Sequence, residues 1–274
     1  MSTKIVSWNV NGIRTRVVDI SDKKIMSGSL KIIMDEEDPD IICFQETRCS
    51  ILNSLKFKND DFPYQFFNES SGVNARGPNR YSGTSIWSKI EPNRVQYQIP
   101  NYDDNEGRII IAQYETFTLI NVYTPNSGTN FDNRLLWQDA FVKFLKGQTK
   151  IVFCGDLNVA YYYDDTYFDQ KNCKPCPGIL PEEKVFIAQL FSLDFIDSLK
   201  KEDDIKYTWW NPRCVKENGM SIMRNRNKGW RLDYFLVKEI QFNDSRILKH
   251  IGEEHSGKSP LSSDHAPIVI EINA

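Results

Sequence analysis

The 274-residue chain has three histidines, six cysteines and no surplus of positive charge. It also lacks long apolar runs, tracts rich in Pro, Gly or Ser, and any repeat of solenoid length. Each absence excludes something. A net charge of −3 and a pI near 5.7 exclude a protein that coats a polyanion with its whole surface. Six cysteines in a chain of this size are too few for a disulfide scaffold, and Cys43 and Cys154 lie inside apolar patterns, where a reduced thiol acts as a small hydrophobe. Cys173 and Cys176 form a lone C-x-x-C with no second pair at zinc-ligand spacing, so no structural zinc is expected. No apolar stretch reaches membrane-spanning length, and Met1-Ser2-Thr3-Lys4 leads straight into a strand pattern without the features of a signal peptide. A soluble, intracellular protein is therefore expected. With no linker in sight, a single domain over residues 1–274 is expected too.

What the chain does have is strand pattern. Apolar or alternating runs recur at "KIVSWNV", "DIICFQE", "YSGTSIWS", "RIIIAQY", "FTLINVY", "KIVFCGDLN", "RLDYFLV" and "APIVIEIN". Three helical patterns separate some of them. Residues 23–37 carry Met26, Leu30, Ile33 and Met34 on one face and stop before Pro39. Residues 131–146 carry Phe131, Leu135, Trp137, Phe141, Phe144 and Leu145, with Gly147 as C-cap. A third helix begins at Pro181, with Glu182 and Glu183 in its first turn and Val185, Phe186, Ile187, Leu190 and Phe191 behind them. Consecutive strands outnumber helices, which excludes a simple alternating parallel barrel. The expected fold is α+β, with two packed sheets flanked by helices.

Four of the strands share one design, an apolar body ending in Asn, Glu, Tyr or Asp. If those ends meet at one rim, a set of polar groups converges: Asn9 and Asn11 in "WNVNG", Glu46 in "FQETR", Tyr123 and Asn126 in "NVYTPN", Asp156 and Asn158 in "GDLNVA", Asp233 in "WRLDYF", and Asp264 with His265 in "SSDHAP". Taken singly, each motif has a bland reading; Asn-Gly, for example, is a turn signal. Taken together they suit phosphoester hydrolysis. Hard oxygen ligands such as Glu46 and Asp264 favour Mg²⁺, which neutralises a phosphate oxygen and the leaving oxyanion while a base aligns water opposite.

These motifs, from "IVSWNVNGIR" through "PDIICFQETR", "GDLNVA" and "GWRLDYFLV" to "SSDHAPI", resemble those of the exonuclease III family of apurinic/apyrimidinic endonucleases, within the endonuclease/exonuclease/phosphatase group. The resemblance runs in order along nearly the whole chain. It implies a four-layer αββα sandwich with an active site at one rim. By matching position it implies that Glu46 binds Mg²⁺ (Mn²⁺ being the alternative), with Asn11 and Asp264 near the metal. Asp156 would activate water or help protonate the leaving oxygen, and Asn158 would orient that group or the water. His265, held by Asp233, would bind the scissile phosphate or serve as base. Tyr123, Asn126 and Asn9 would hold the phosphate and transition state.

The resemblance further implies a DNA repair nuclease that cuts 5′ to an abasic site in duplex DNA. 3′-Phosphodiesterase, 3′-phosphatase and 3′→5′ exonuclease activities on blocked 3′ ends would accompany it. Trp209, Trp230 and Leu232 would form an apolar pocket for a flipped sugar lacking its base. The adjacent Trp210 points the other way and is expected in the core. Within the basic run from Arg213 to Arg231, the loop containing Met220, Met223, Arg224 and Arg226 would press into the duplex, and Arg14, Arg16, Arg76 and Arg80 would add backbone contacts. The expected protein is a monomer with no membrane partner, nuclear in a eukaryote and cytoplasmic in a prokaryote. Three departures from the family pattern stand out: "YYYDDTYF" after "GDLNVA", the two cysteines of "DQKNCKPCPG", and Thr129 where some relatives carry an Arg. Rival readings are a phosphatase or sphingomyelinase acting on a small or lipid head group, and a binding protein whose catalysis has lapsed.

Overall fold

The apolar runs fold as strands, and the strands sort into two six-stranded sheets. The structure, a computed structural model, describes residues 2–14, 28–50, 59–71, 73–74, 77–78, 81–128, 130–199, 206–213, 216–217, 220–251 and 263–274. One sheet contains β1 (Ser2–Asn9), β2 (Ile41–Gln45), β3 (Tyr64–Asn68), β6 (Thr84–Ser88), β15 (Gln241–Ile247) and β16 (Ile268–Asn273), in the order β15-β16-β1-β2-β6-β3. The other contains β7 (Arg94–Gln96), β8 (Ile109–Gln113), β9 (Thr118–Tyr123), β10 (Ile151–Asp156), β11 (Ile196–Asp197) and β14 (Asp233–Lys238), in the order β11-β14-β10-β9-β8-β7. Two short ribbons pair β4 (Val73–Asn74) with β5 (Gly77–Pro78) and β12 (Lys216–Glu217) with β13 (Met220–Ser221). The helices are α1 (Gly28–Glu37), α2 (Phe131–Leu145), α3 (Pro181–Ser192) and the single turn α4 (Ile222–Asn225).

Three apolar layers bind these elements into four. Between the sheets, Ile5, Cys43 and Ile86 of one meet Ile110, Leu119, Val152 and Phe235 of the other. Alternate residues face outward, and these are apolar as well. Val6, Trp8, Ile42, Phe44 and Trp87 pack under Leu30 and Ile33 of α1, while Ile120, Phe153 and Leu236 pack under Trp137 and Phe141 of α2 and Phe186 and Leu190 of α3. Covered on both faces, the central strands read as continuous rather than alternating hydrophobic runs. The architecture is the expected αββα sandwich.

The helices start where their capping chemistry dictates. The Asn130 side chain accepts from the Asn133 N–H at 3.1 Å at the head of α2, and Gly147 takes a left-handed φ of +77° beyond its end. Pro181 opens α3, as its fixed φ favours. Val185, read as part of the apolar face of α3, is instead 53% exposed, because the helix turns Phe186, Ile187 and Leu190 toward the sheet, with Phe191 packing half-buried beside them. Of the first helical pattern, residues 28–37 are helical and residues 23–27 lie outside the described residues. Among the described residues no helix is long and apolar enough to cross a membrane.

Topology gathers the polar strand ends. β1 and β2 are parallel, as are β9 and β10, so Asn9, Gln45, Tyr123 and Asp156 all stand at C-terminal ends. β14 runs antiparallel to β10 and therefore begins at that rim, with Asp233 directly opposite Asp156. β16 is antiparallel to β1, so the residues just before it, including Asp264 and His265, arrive there too. Gly155 permits the close approach of β10 to β9. Its φ is +132°, and a Cβ would lie 1.9 Å from the Val122 carbonyl oxygen.

Candidate active site

At the rim, Asp156 is held by both sheets. Its Oδ1 accepts the Asn158 N–H at 2.9 Å, and its Oδ2 accepts the Asn9 amide at 2.9 Å. The same Asn9 nitrogen reaches Glu46 Oε1 at 3.1 Å, so one buried amide bridges two carboxylates across the sandwich. His265 Nδ1 lies 2.8 Å from Asp233 Oδ2, and its Nε2 lies 3.7 Å from Asp156 Oδ2. The imidazole and both carboxylates are nearly inaccessible to water. Asn158 donates to the Thr124 carbonyl at 2.8 Å and accepts from the Asn126 amide at 3.2 Å. Asn11 donates to Asp264 Oδ1 at 2.8 Å, and Trp209 Nε1 donates to Asp264 Oδ2 at 3.0 Å.

The backbone here is unusual for its residue types. Asn11, Glu46, Arg48 and Asn158 have φ of 47°, 49°, 49° and 50°, in the left-handed region. Asn tolerates this conformation; Glu and Arg enter it at a cost, and such strain clusters at functional positions. It turns the chain sharply at each strand end, aiming the side chain into the rim.

Burial above all pushes the Asp156 carboxyl up, to about 7, with Asp233 and Glu46 adding to the rise and His265 and the Asn158 N–H opposing it. For His265 burial acts to lower the pKa, but Asp233 and Asp156 overcome it and raise the imidazole above its ordinary value. Tyr123 stays a phenol. Burial and the charge of Glu46 raise it against Arg108, whose guanidinium centre sits 4.7 Å from the ring centroid.

These groups open into one cavity of about 380 Å³, lined by Glu46, Tyr123, Asn126, Asp156, Asn158, Asp264 and His265 on the polar side. Trp209, Trp230 and Leu232 line its other wall, with Pro177, Gly178, Asn211, Pro212 and Arg213 at the margins. Residues 207–210 join the two sides. Trp209 pairs with both Trp230 and His265, and Thr208 Oγ1 accepts the Leu232 and Asp233 N–H groups at 3.0 and 3.1 Å. The Trp209 and Trp230 rings meet edge to face at 5.9 Å.

The donor set fits a hard divalent cation. Glu46 and Asp264 are carboxylates of the same cavity, each steadied by an amide or indole donor, and no thiol lines it. Arg48 pairs with Glu46 Oε2. A second cluster, Asp156, Asp233 and His265, has one ligand atom from each within 4.8 Å of the others, but there His265 Nδ1 is already engaged by Asp233.

Every described residue predicted for the polar rim or the pocket therefore lies in or against this cavity, with Asn9, Asn11 and Asp233 directly behind its lining. The predicted DNA-contact set needs correction. Arg224 is 5% exposed; its guanidinium donates to the Ser263, Lys249 and Ile251 carbonyls at 3.0, 3.0 and 2.7 Å and stacks 4.6 Å from the Trp210 ring. Its charge is used to tie three segments together, so it is not a DNA contact. Met223, half-buried, packs against the inter-sheet core. Arg14 and Arg226 are exposed, whereas Arg16, Arg76, Arg80 and Thr129 lie outside the described residues. Trp210 is in the core, as expected. Cys173 and Cys176 pack, half-buried, against the cluster of Ala160, Ile179 and Leu232. Arg213, Asn211, Pro177 and Gly178 are lining residues that pattern reading passed over, since loop residues carry no periodicity. Arg213 alone had a signal, as the first member of the basic run.

The fold and the rim are those of a two-sheet phosphoesterase, and residues 6–265 match the Endonuclease/Exonuclease/phosphatase family, to which the chain belongs. Within it, the chain is 31% identical over 280 residues to an exodeoxyribonuclease of Bacillus subtilis, covering 98% of this chain and 99% of that protein. It is 30% identical over 287 residues to the DNA-(apurinic or apyrimidinic site) endonuclease of Dictyostelium discoideum, covering 98% of this chain and 71% of that one. It is 37% identical over 283 residues to Recombination repair protein 1 of Drosophila melanogaster, of which it spans 37% of the length. An AP endonuclease from Archaeoglobus fulgidus superposes with a TM-score of 0.78 at 23% identity, over 99% of this chain and 100% of that one.

Proposed function

We propose that the chain is a Mg²⁺-dependent DNA repair nuclease, one domain over residues 1–274, that hydrolyses the phosphodiester 5′ to an abasic site. The products are 3′-hydroxyl and 5′-deoxyribose-phosphate ends. Activity on blocked 3′ ends and 3′→5′ exonuclease activity would use the same cavity. The observation that carries this reading is the adjacency of two walls: Asp156, His265 and Asn158 on one, Trp209, Trp230 and Leu232 on the other. A phosphate on the first wall places the neighbouring sugar on the second. An apolar wall accepts bare deoxyribose, whose extrusion from the duplex is easier because no stacked base is lost.

Glu46, Asp264 and Asn11 would hold Mg²⁺ or Mn²⁺, which when bound neutralises a phosphate oxygen and the leaving oxyanion. His265, kept cationic by Asp233 and Asp156, binds a non-bridging phosphate oxygen through Nε2. Asp233 fixes the ring tautomer by engaging Nδ1. Asp156, with its carboxyl raised toward neutrality, takes a proton from the attacking water, while Asn158 and Asn9 hold the carboxylate in register. The water oxygen bonds to phosphorus as the bond from phosphorus to the 3′-oxygen breaks, and solvent gives that oxygen the proton of the 3′-hydroxyl. Tyr123 and Asn126 donate to the phosphate. Exposed Arg14 and Arg226 contact flanking phosphates without reading sequence.

The relatives' names, an exodeoxyribonuclease and an apurinic or apyrimidinic site endonuclease, support the same substrate class. The test replaces the apolar wall. W230A and L232A are expected to lower incision of an abasic duplex by about tenfold or more while Mg²⁺-dependent hydrolysis of a small activated diester persists. Unchanged incision by both variants, with turnover of a soluble phosphoinositide by the wild type, would replace this reading with that of a head-group phosphatase.

A further inference from the structure

Glu183 is fully buried, yet it is not part of the rim. It stands in the first turn of α3, where an acid is ordinarily read as a partner for the helix dipole. Its contacts go further. Oε2 accepts the Leu180 N–H at 2.9 Å, which is the capping contact, and the Gly178 N–H at 2.8 Å. Oε1 accepts the Ser127 hydroxyl at 2.5 Å. One carboxylate thus holds three donors from two separate loops.

Those loops are the two walls of the cavity. Ser127 follows Asn126, which lines the polar side and donates to Asn158. Gly178 lines the apolar side so closely that a Cβ there would lie 2.7 Å from the Trp230 ring. The loops also touch directly, since a Cβ on Gly128 would meet Pro177 Cγ at 3.1 Å. Arg134 supports the first loop from below by donating to the Pro125 carbonyl at 2.8 Å, and Gln138 ties α2 to the Glu182 carbonyl at 3.1 Å.

We infer that Glu183 is a positioning residue that locks the phosphate wall at Asn126–Ser127 to the sugar-pocket wall at Gly178–Trp230, setting their spacing to one nucleotide step. The inference rests on the function proposed above. Catalysis on an abasic duplex needs the phosphate and the extruded sugar seated at once, so an error of about 1 Å between the walls costs rate on that substrate. A small activated diester, seated on the polar wall alone, does not feel the spacing. Helix capping would need only the Leu180 contact. The Ser127 contact is the part that capping leaves unexplained.

The experiment compares S127A, E183Q and E183A with the wild type on a duplex holding one abasic analogue and on bis(4-nitrophenyl) phosphate, both with Mg²⁺. S127A leaves the helix cap intact, and its kcat/KM on the abasic duplex is expected to fall about tenfold, with small-diester turnover within about twofold of wild type. E183A is expected to fall at least as far. E183Q keeps an oxygen for Gly178 and Leu180 and an amide that donates to the Ser127 hydroxyl, so it is expected to stay within about threefold on both substrates. S127A as active as wild type on the duplex, or equally impaired on both substrates, would overturn the inference. If the wild type left the abasic duplex intact, the functional reading would fail instead. The lock would then be judged by the indole resonance of Trp230 on the far wall, which must shift in S127A and whose constancy would refute it.

Discussion

Asp156 and Asp233 face each other across the antiparallel ladder of β10 and β14, and His265 stands between them, 2.8 Å from Asp233 and 3.7 Å from Asp156. Two carboxylates directly opposite on one sheet face repel. The imidazolium offsets that repulsion, and the pair in turn raises the imidazole pKa. The triad is therefore one electrostatic unit, and each member's protonation depends on the other two.

Removing the far carboxylate should show this dependence. D233N keeps the shape of Asp233 but deprives His265 of charge support, so kcat is expected to fall about 10²-fold with KM changed little. Steady-state kinetics at pH 7.5 checks it, and an unchanged kcat would refute the pairing.

Removing the near carboxylate should stabilise the fold while abolishing activity. The folded state keeps a proton on Asp156 up to about pH 7, whereas the unfolded chain releases it near the ordinary Asp value. Between those values the folded state binds more protons, so Asp156 costs stability as pH rises. D156N is expected to be more stable than wild type by roughly 1–2 kcal/mol at pH 8 in EDTA, with the gain fading by pH 4. Denaturant melts at the two pH values decide, and a gain independent of pH would contradict the burial of a charged carboxylate.

Gly155 and Gly147 both have positive φ but should respond differently to alanine. At Gly147 a Cβ meets nothing within 4 Å, so G147A costs only the left-handed strain, about 1 kcal/mol. At Gly155 the Cβ would strike the Val122 carbonyl oxygen, which belongs to the central ladder and has nowhere to go. G155A is expected to lose 3 kcal/mol or more, of order the cost of severe overpacking. Comparable melting temperatures for the two variants would contradict the β9–β10 geometry.

Arg224 and Arg226 are two residues apart and should separate into stability and binding. Arg224 donates to three carbonyls, so R224A leaves them unsatisfied and is expected to cost about 2–4 kcal/mol without changing the salt dependence of DNA binding. R226A removes an exposed charge and is expected to leave stability unchanged and reduce the slope of log K against log salt by about one. Thermal melts and a binding series from 50 to 200 mM salt, a range chosen for its counterion effect, test both.

The central strands were legible because both faces are covered, so β1, β2, β9, β10 and β14 read as apolar bodies, and a polar residue at their ends stands out. β15 was not, since it alternates exposed and half-buried residues such as Gln241, Asn243 and Asp244 at the edge of its sheet. β3 is half-buried throughout, and β7 and β11 are short edge pieces without a pattern. The rim was readable for a similar reason: Asp156, Glu46 and Asn9 interrupt runs that packing alone would keep apolar. The cavity margins were not readable. Pro177, Gly178 and Asn211 belong to loops whose placement depends on tertiary contacts, such as the hold of Glu183 on Gly178. Arg224 was misread because a basic run does not reveal which guanidinium finds carbonyls, and only the neighbouring Trp210, Ser263 and Ile251 determine that.

The most direct measurement is end analysis of a labelled duplex carrying one tetrahydrofuran abasic analogue, incubated with the 274-residue protein and either Mg²⁺ or EDTA, beside the same duplex without the lesion. The expected result is a single cut immediately 5′ to the analogue, leaving a 3′-hydroxyl that a polymerase extends, with Mg²⁺ only. Cutting in EDTA, equal cutting of the intact duplex, or no cutting at all would contradict a metal-dependent rim set beside a pocket for a bare sugar.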